Sequence, residues 1–195
     1  MNRFGPRLAA LLLAGTVLAA DTAPAAPPLP RDSVYQLEVA LTDQDGRTGP
    51  WSARRGKPQL VSMFYTSCRY ICPLIVDSGK AIERQLSPAQ QARLGILLVS
   101  MDPSHDTPAK LKAVADARKL DPARWTLASL PPEDVRAVAG ILGIRYRALV
   151  DGGFNHTSAL VLLDAHGRVL ARTEKIGTVP DPTFVAAVRR AAGAP

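Results

Sequence analysis

The run Gln-Leu-Val-Ser-Met-Phe-Tyr at residues 59–65 constrains this chain more than any other segment. It is short, almost continuously apolar and rich in strand formers. That is the pattern of a strand covered on both faces, and such strands lie in the middle of a sheet. It leads directly into Thr66-Ser67-Cys68, and Pro73 then opens a stretch, 74–86, with helical spacing at Leu74, Ile75, Ser78, Ile82 and Leu86. Proline is favoured in the first helical turn, where its missing N–H would have had no partner anyway. A central strand, a cysteine loop and a helix N-terminus are thus expected in immediate succession.

The alternation continues along the chain. Residues 94–99 read as a second buried strand, 108–120 as a helix, 125–129 as a strand and 132–142 as a helix, so the sheet should contain parallel members. Upstream, 34–41 alternates apolar and polar residues and suits an edge strand, followed by a turn at 42–46. Downstream, segments 146–150 and 158–164 flank the turn Asp151-Gly152-Gly153. Ala165-His166-Gly167 then turns tightly into 169–174, and 181–192 closes the chain as a helix. A β-hairpin followed by a C-terminal helix is how a thioredoxin-like α/β fold ends. The expected class is therefore a thioredoxin-like fold: a central mixed sheet flanked by helices, with an N-terminal strand extension and a C-terminal β-hairpin plus helix.

A chain of 195 residues with 47% apolar content has material for one domain. The first residues carry Arg3 and Arg7 and no acid, and residues 8–20 form an apolar run shorter than the roughly 20 residues of a membrane-spanning helix. This is the layout of a secretory signal, with cleavage near 19–25 or retention as an N-terminal anchor. We read 1–20 as signal or anchor, 21–33 as an Ala/Pro-rich linker and 34–195 as the folded domain. The protein is expected to be exported to the periplasm, where a cysteine pair by default closes into a disulfide. The formal charge is +7, but the basic residues are scattered and aromatics are few, so a nucleic-acid surface is not expected. A solvated basic face that could help docking to an acidic partner is the reading adopted.

Cys68 falls at the carboxyl end of the central strand and Cys72 at the start of the next helix, where ligands gather in open α/β sheets. The positive end of the helix dipole favours thiolate over thiol. A thiolate either attacks a disulfide or coordinates a soft metal. The three residues Arg69, Tyr70 and Ile71 between the cysteines give a wider loop than the Cys-x-x-Cys of redox motifs, which suits two sulfurs gripping one ion. Spacing alone leaves a structural or redox disulfide equally open. A copper(I) site would gain from a third soft or imidazole ligand, and three histidines are candidates. His105 lies in a loop before a helix, His166 lies at a hairpin turn, and His156 directly precedes a buried strand. Met63 and Met101 belong to apolar strands and read as core. Asp102, Asp106 and Thr107 read as capping chemistry for the helix at Pro108.

These residues resemble the Sco/SenC family of copper-handling proteins, which assemble the binuclear copper centre of cytochrome c oxidase. The resemblance covers roughly 34–192. It rests on Gly56-Lys57-Pro58 before the strand, Phe64-Tyr65-Thr66-Ser67-Cys68 with Cys72-Pro73, Met101-Asp102-Pro103 with Asp106-Thr107-Pro108, and His156 before an apolar strand ending in Leu163-Asp164 and Gly167. It implies that Cys68, Cys72 and His156 bind copper, and that Cys68 and Cys72 cycle between dithiol and disulfide. Family members commonly carry Pro-Asp-Val between the cysteines. Arg69-Tyr70-Ile71 removes that carboxylate, so Cu(I) is favoured and Cu(II) is second.

What the resemblance implies is a metallochaperone that delivers copper to an oxidase subunit by ligand exchange. Its partners would be that copper-receiving subunit, with a copper donor protein or a thiol reductant upstream. The alternative is a thiol–disulfide oxidoreductase that reduces the oxidase's copper-ligand cysteines through Cys68 and Cys72. Peroxide reduction fits less well, because Thr66 stands two residues before Cys68 where the peroxidase pattern places a threonine three before.

Overall fold

The computed structural model describes residues 27–150 and 152–193. The expected signal segment, most of the linker and Asp151 lie outside the described residues. Nine strands and five α-helices follow in the order β1 (Ala40–Asp43), β2 (Thr48–Pro50), β3 (Gln59–Phe64), α1 (Ile71–Glu83), α2 (Pro88–Arg93), β4 (Gly95–Ser100), α3 (Pro108–Ala117), β5 (Trp125–Ser129), α4 (Val135–Ile141), β6 (Tyr146–Ala148), β7 (Phe154–His156), β8 (Leu160–Leu163), β9 (Val169–Thr173) and α5 (Pro182–Gly193).

Seven strands form one mixed sheet in the order β2-β1-β5-β4-β3-β8-β9. β3, β4 and β5 run parallel, whereas β8 and β9, and on the other side β1 and β2, pair antiparallel. β3 lies between β4 and β8, and every one of its residues is buried. The apolar runs of β3, β4 and β8 need two covered faces, and the sheet interior supplies them. The thioredoxin-like architecture with its closing β8–β9 hairpin and α5 is the one expected. Among the described residues no helix is long and apolar enough to cross a membrane.

Three local readings are corrected. The segment 34–41 begins as a 3-10 turn (Val34–Gln36). β1 then runs on to Asp43 inside the expected 42–46 turn, and the edge strand is β2. Strand 146–150 does not pair across the Gly152-Gly153 turn with 158–164. It pairs with β7, a short strand in a separate two-stranded sheet, and this puts His156 on a strand. Helix α1 begins two residues before Pro73, so Cys72 lies within its first turn. Helix α2, which buries no residue, has no apolar stripe to reveal it, although its capping box of Ser87 and Gln90 was readable.

The position of α1, and with it Cys72, is fixed against β5. Glu83 accepts from Arg124 Nε at 2.7 Å and from Trp125 Nε1 at 2.9 Å. Gly79 lets the helix approach the tryptophan ring closely: a β-carbon there would stand 2.5 Å from it.

Candidate metal and thiol site

The cysteine loop leaves the carboxyl end of β3, where Cys68 N–H donates to the Tyr65 carbonyl at 3.3 Å. One residue from the neighbouring β4–α3 segment holds it. Asp106, 1% exposed, accepts from the Thr66 N–H at 3.1 and 3.2 Å and from the hydroxyls of Thr66 and Ser100. Because β3 and β4 are parallel, with Phe64 opposite Ser100, the loops that follow them emerge side by side. The carboxylate can therefore bridge them. The helix α3 is capped by Thr107, as expected, but Asp106 is not a cap; it clamps the cysteine loop.

Cys68 and Cys72 are brought together as free thiols, with Cys72 N–H donating to Cys68 Sγ at 3.3 Å. Their chemistry diverges. Burial pushes the Cys68 pKa up, but the side chain and N–H of Cys72 and the N–H groups of Tyr70 and Ile71 outweigh it and bring it below the usual thiol range. These are the unsatisfied donors of the first turn of α1, acting as anion ligands. Burial pushes Cys72 well above that range, and its hydrogen bond to Cys68 adds to the rise. The half-buried Cys68 is thus the more readily ionised of the pair, and the buried Cys72 the less. An alkylating reagent at neutral pH is expected to modify Cys68 first and leave Cys72 largely intact, which peptide mass mapping after limited labelling would read; equal labelling would contradict the assignment. The cysteines line a cavity of about 200 Å³ together with Tyr65, Pro73, Val76 and Arg118.

The antiparallel register of β3 and β8, Gln59 opposite Leu163 and Val61 opposite Val161, carries the chain before β8 up alongside the residues after β3. Ser62 Oγ donates to the Ala159 carbonyl at 2.6 Å on this seam. His156 consequently reaches the level of Tyr65, and their rings meet edge to face at 6.1 Å. Its Nδ1 lies 3.3 Å from the Thr157 carbonyl, while Nε2 is buried without a hydrogen-bond partner. Burial lowers the pKa of this imidazole, with the Thr157 carbonyl opposing, so it is neutral and its lone pair is free at neutral pH. An orphaned polar nitrogen of this kind costs about 1–3 kcal/mol and calls for an explanation.

The three expected ligands do not converge in this structure. Among the described residues no three His, Cys, Asp or Glu side chains meet at one point. Tyr65 stands at the junction: its hydroxyl interacts with Cys68, while its ring packs on Phe154 at 5.2 Å and on His156. The other histidines are elsewhere. His105 is exposed, 2.8 Å from Asp102. His166 lies at the β8–β9 turn, beside the opposite end of β3. Met63 and Met101 are buried core. The role of Tyr65 could have been suspected from an aromatic residue standing between a buried strand and the cysteine loop.

Comparison with known proteins decides the lineage: the SCO1/SenC family profile matches residues 30–192. The chain belongs to the SCO1/SenC family. A SCO1 protein homolog of Bacillus subtilis is 23% identical over 161 residues, covering 80% of this chain and 83% of that one. A Stutzerimonas stutzeri protein provisionally named as copper-binding is 31% identical over 85 residues, 43% of this chain and 41% of that relative, so this match spans less than half its length. The solved structure of Bradyrhizobium japonicum ScoI with copper bound superposes with a TM-score of 0.65 at 24% identity, over 80% of this chain and 98% of that one, and shares the fold.

Proposed function

We propose that this SCO1/SenC protein is a copper(I) metallochaperone that holds the ion through Cys68, Cys72 and His156 and passes it to the binuclear copper site of cytochrome c oxidase. The observation that carries the reading is the donor set beside Tyr65: a thiolate-favouring cysteine, a second sulfur in contact with it, and a neutral imidazole nitrogen with no other partner. Two sulfurs and one imidazole nitrogen suit a soft monovalent ion. Cys68 is the more readily ionised, and Cys72 would release its proton on coordination. Transfer is exchange of ligands between two proteins, with no change of oxidation state. The cysteine loop carries Arg69, Tyr70 and Ile71 and no carboxylate, which favours Cu(I) over Cu(II); a strong Cu(II)–thiolate absorption band would count against this. A copper-bound family relative supports the metal assignment by analogy.

We place the domain in the periplasm after export, with residues 1–20 as signal or membrane tether. A copper-receiving oxidase subunit is the partner, and a copper donor or a thiol reductant acts upstream. The asymmetry of the two thiols supports a second reading, thiol–disulfide exchange. Here Cys68 attacks a target disulfide and Cys72 resolves the mixed disulfide, so that two electrons pass to the target and the pair ends oxidised.

Anaerobic titration of the reduced protein with Cu(I) against a competing chelator separates the two. One tight equivalent, weakened sharply in His156→Ala, is the expected result, since exchange chemistry does not need the imidazole. Binding no better than that of an unrelated dithiol, with His156→Ala silent, would remove the metal and leave the exchange centre.

A further inference from the structure

Three donors around one small ion each lie about 2.0–2.3 Å from it, so they must come within a few ångströms of one another. Here they do not, and the side chain in contact with both groups of donors is Tyr65. Its hydroxyl interacts with Cys68 and accepts the Phe154 N–H at 3.3 Å. Phe154 opens β7, the strand on which His156 lies two residues later. The Tyr65 ring packs at 70° to Phe154 and 74° to His156, and the residue is 8% exposed. One phenol at the end of β3 therefore ties the base of the cysteine loop to the backbone of the histidine hairpin. The tie is specific to the hydroxyl, because a phenylalanine ring could make both ring contacts and neither polar one.

We infer that Tyr65 is a positioning residue, a latch whose hydroxyl, at the base of the cysteine loop, holds the metal-free arrangement by accepting the Phe154 amide, and which must release it when copper is captured and His156 joins the sulfurs. The inference rests on the reading of Cys68, Cys72 and His156 as ligands. In the latched state the β6–β7 hairpin is fixed and Nε2 of His156 is left without a hydrogen-bond partner. Coordination supplies that missing partner, while the phenol gives up the Phe154 amide. The latch thus lowers apparent copper affinity by the fraction of molecules it holds closed, and removing it should raise the affinity.

The test is Tyr65→Phe in the full-length protein, measured two ways. In metal-free protein, amide exchange at Phe154 should accelerate on the order of tenfold, the effect of one lost hydrogen bond. In chelator competition, Cu(I) affinity should rise about tenfold for the same reason, an increase that general damage to the site would not produce. Unchanged Phe154 exchange, or affinity that falls or stays the same while the wild-type protein binds tightly, overturns the latch. If the wild-type protein binds no Cu(I), the metal reading fails, and faster Phe154 exchange in Tyr65→Phe would still support the hydroxyl as the tie between loop and hairpin. Tyr65→Ala, which removes the ring as well, should loosen the hairpin further and lose affinity, separating packing from the hydroxyl.

Discussion

A Cys72→Ser protein is expected to lose tight Cu(I) binding by well over about 100-fold, more than the removal of even a strong outer partner of a metal ligand. Cys72 is buried, and its sulfur is one of two that can face a single ion in this loop. A serine hydroxyl is a hard donor that stays protonated near neutral pH, so the site keeps its shape and loses its softness. The serine hydroxyl can still donate to Cys68 and the main-chain donors of the loop are untouched, so the pKa of Cys68 should stay below the usual thiol range. Chelator competition and thiolate absorbance across pH read the two expectations separately. Binding within a few-fold of wild type would show that Cys72 is not a ligand. A large loss without a Cys68 shift, the expected result, would show that the sulfur acts on the metal.

Asp106→Ala should be the most destabilising single change near the site. The carboxylate is buried and accepts hydrogen bonds from the Thr66 N–H and from the hydroxyls of Thr66 and Ser100, and among the described residues no cation pairs with it. Alanine leaves a main-chain donor and two hydroxyls without their acceptor, a cost of about 3 kcal/mol. For a domain of this size that is roughly 6–12 °C in Tm, readable by thermal unfolding. Asp106→Asn retains one acceptor oxygen and should recover part of the loss. An alanine variant as stable as wild type would mean that the cysteine loop is held elsewhere.

The sheet interior was legible because β3, β4 and β8 carry dense apolar runs that only a doubly covered position satisfies. The alternation of strands with helices signalled parallel members in the sheet, whereas the order in which the strands pair was not legible. Short polar elements were not legible: β2 and β7 have three residues each, too few to show a period, and α2 buries nothing. At the site, Cys68 and Cys72 could be placed from the strand-to-helix transition alone. Asp106 could not, because its sequence neighbours Thr107 and Pro108 advertise a helix start. The clamp on Thr66 becomes visible only when two parallel strands bring their outgoing loops together. The separation of His156 from the two cysteines was invisible for a similar reason, since residue types announce which atoms can bind an ion and not how far apart the fold holds them.

Cys68 and Cys72 are four residues apart, whereas Asp106 and His156 reach them only through β4 and through the strand that pairs on the far side of β3. Contacts this distant in sequence form late, after the costly loops have closed. A nascent or partly folded chain therefore presents a bare dithiol, open to oxidation and without its imidazole. On the proposed ligand set, competence for a soft ion becomes a proof of complete folding, and a protein interrupted before β8 would carry its two thiols without the imidazole.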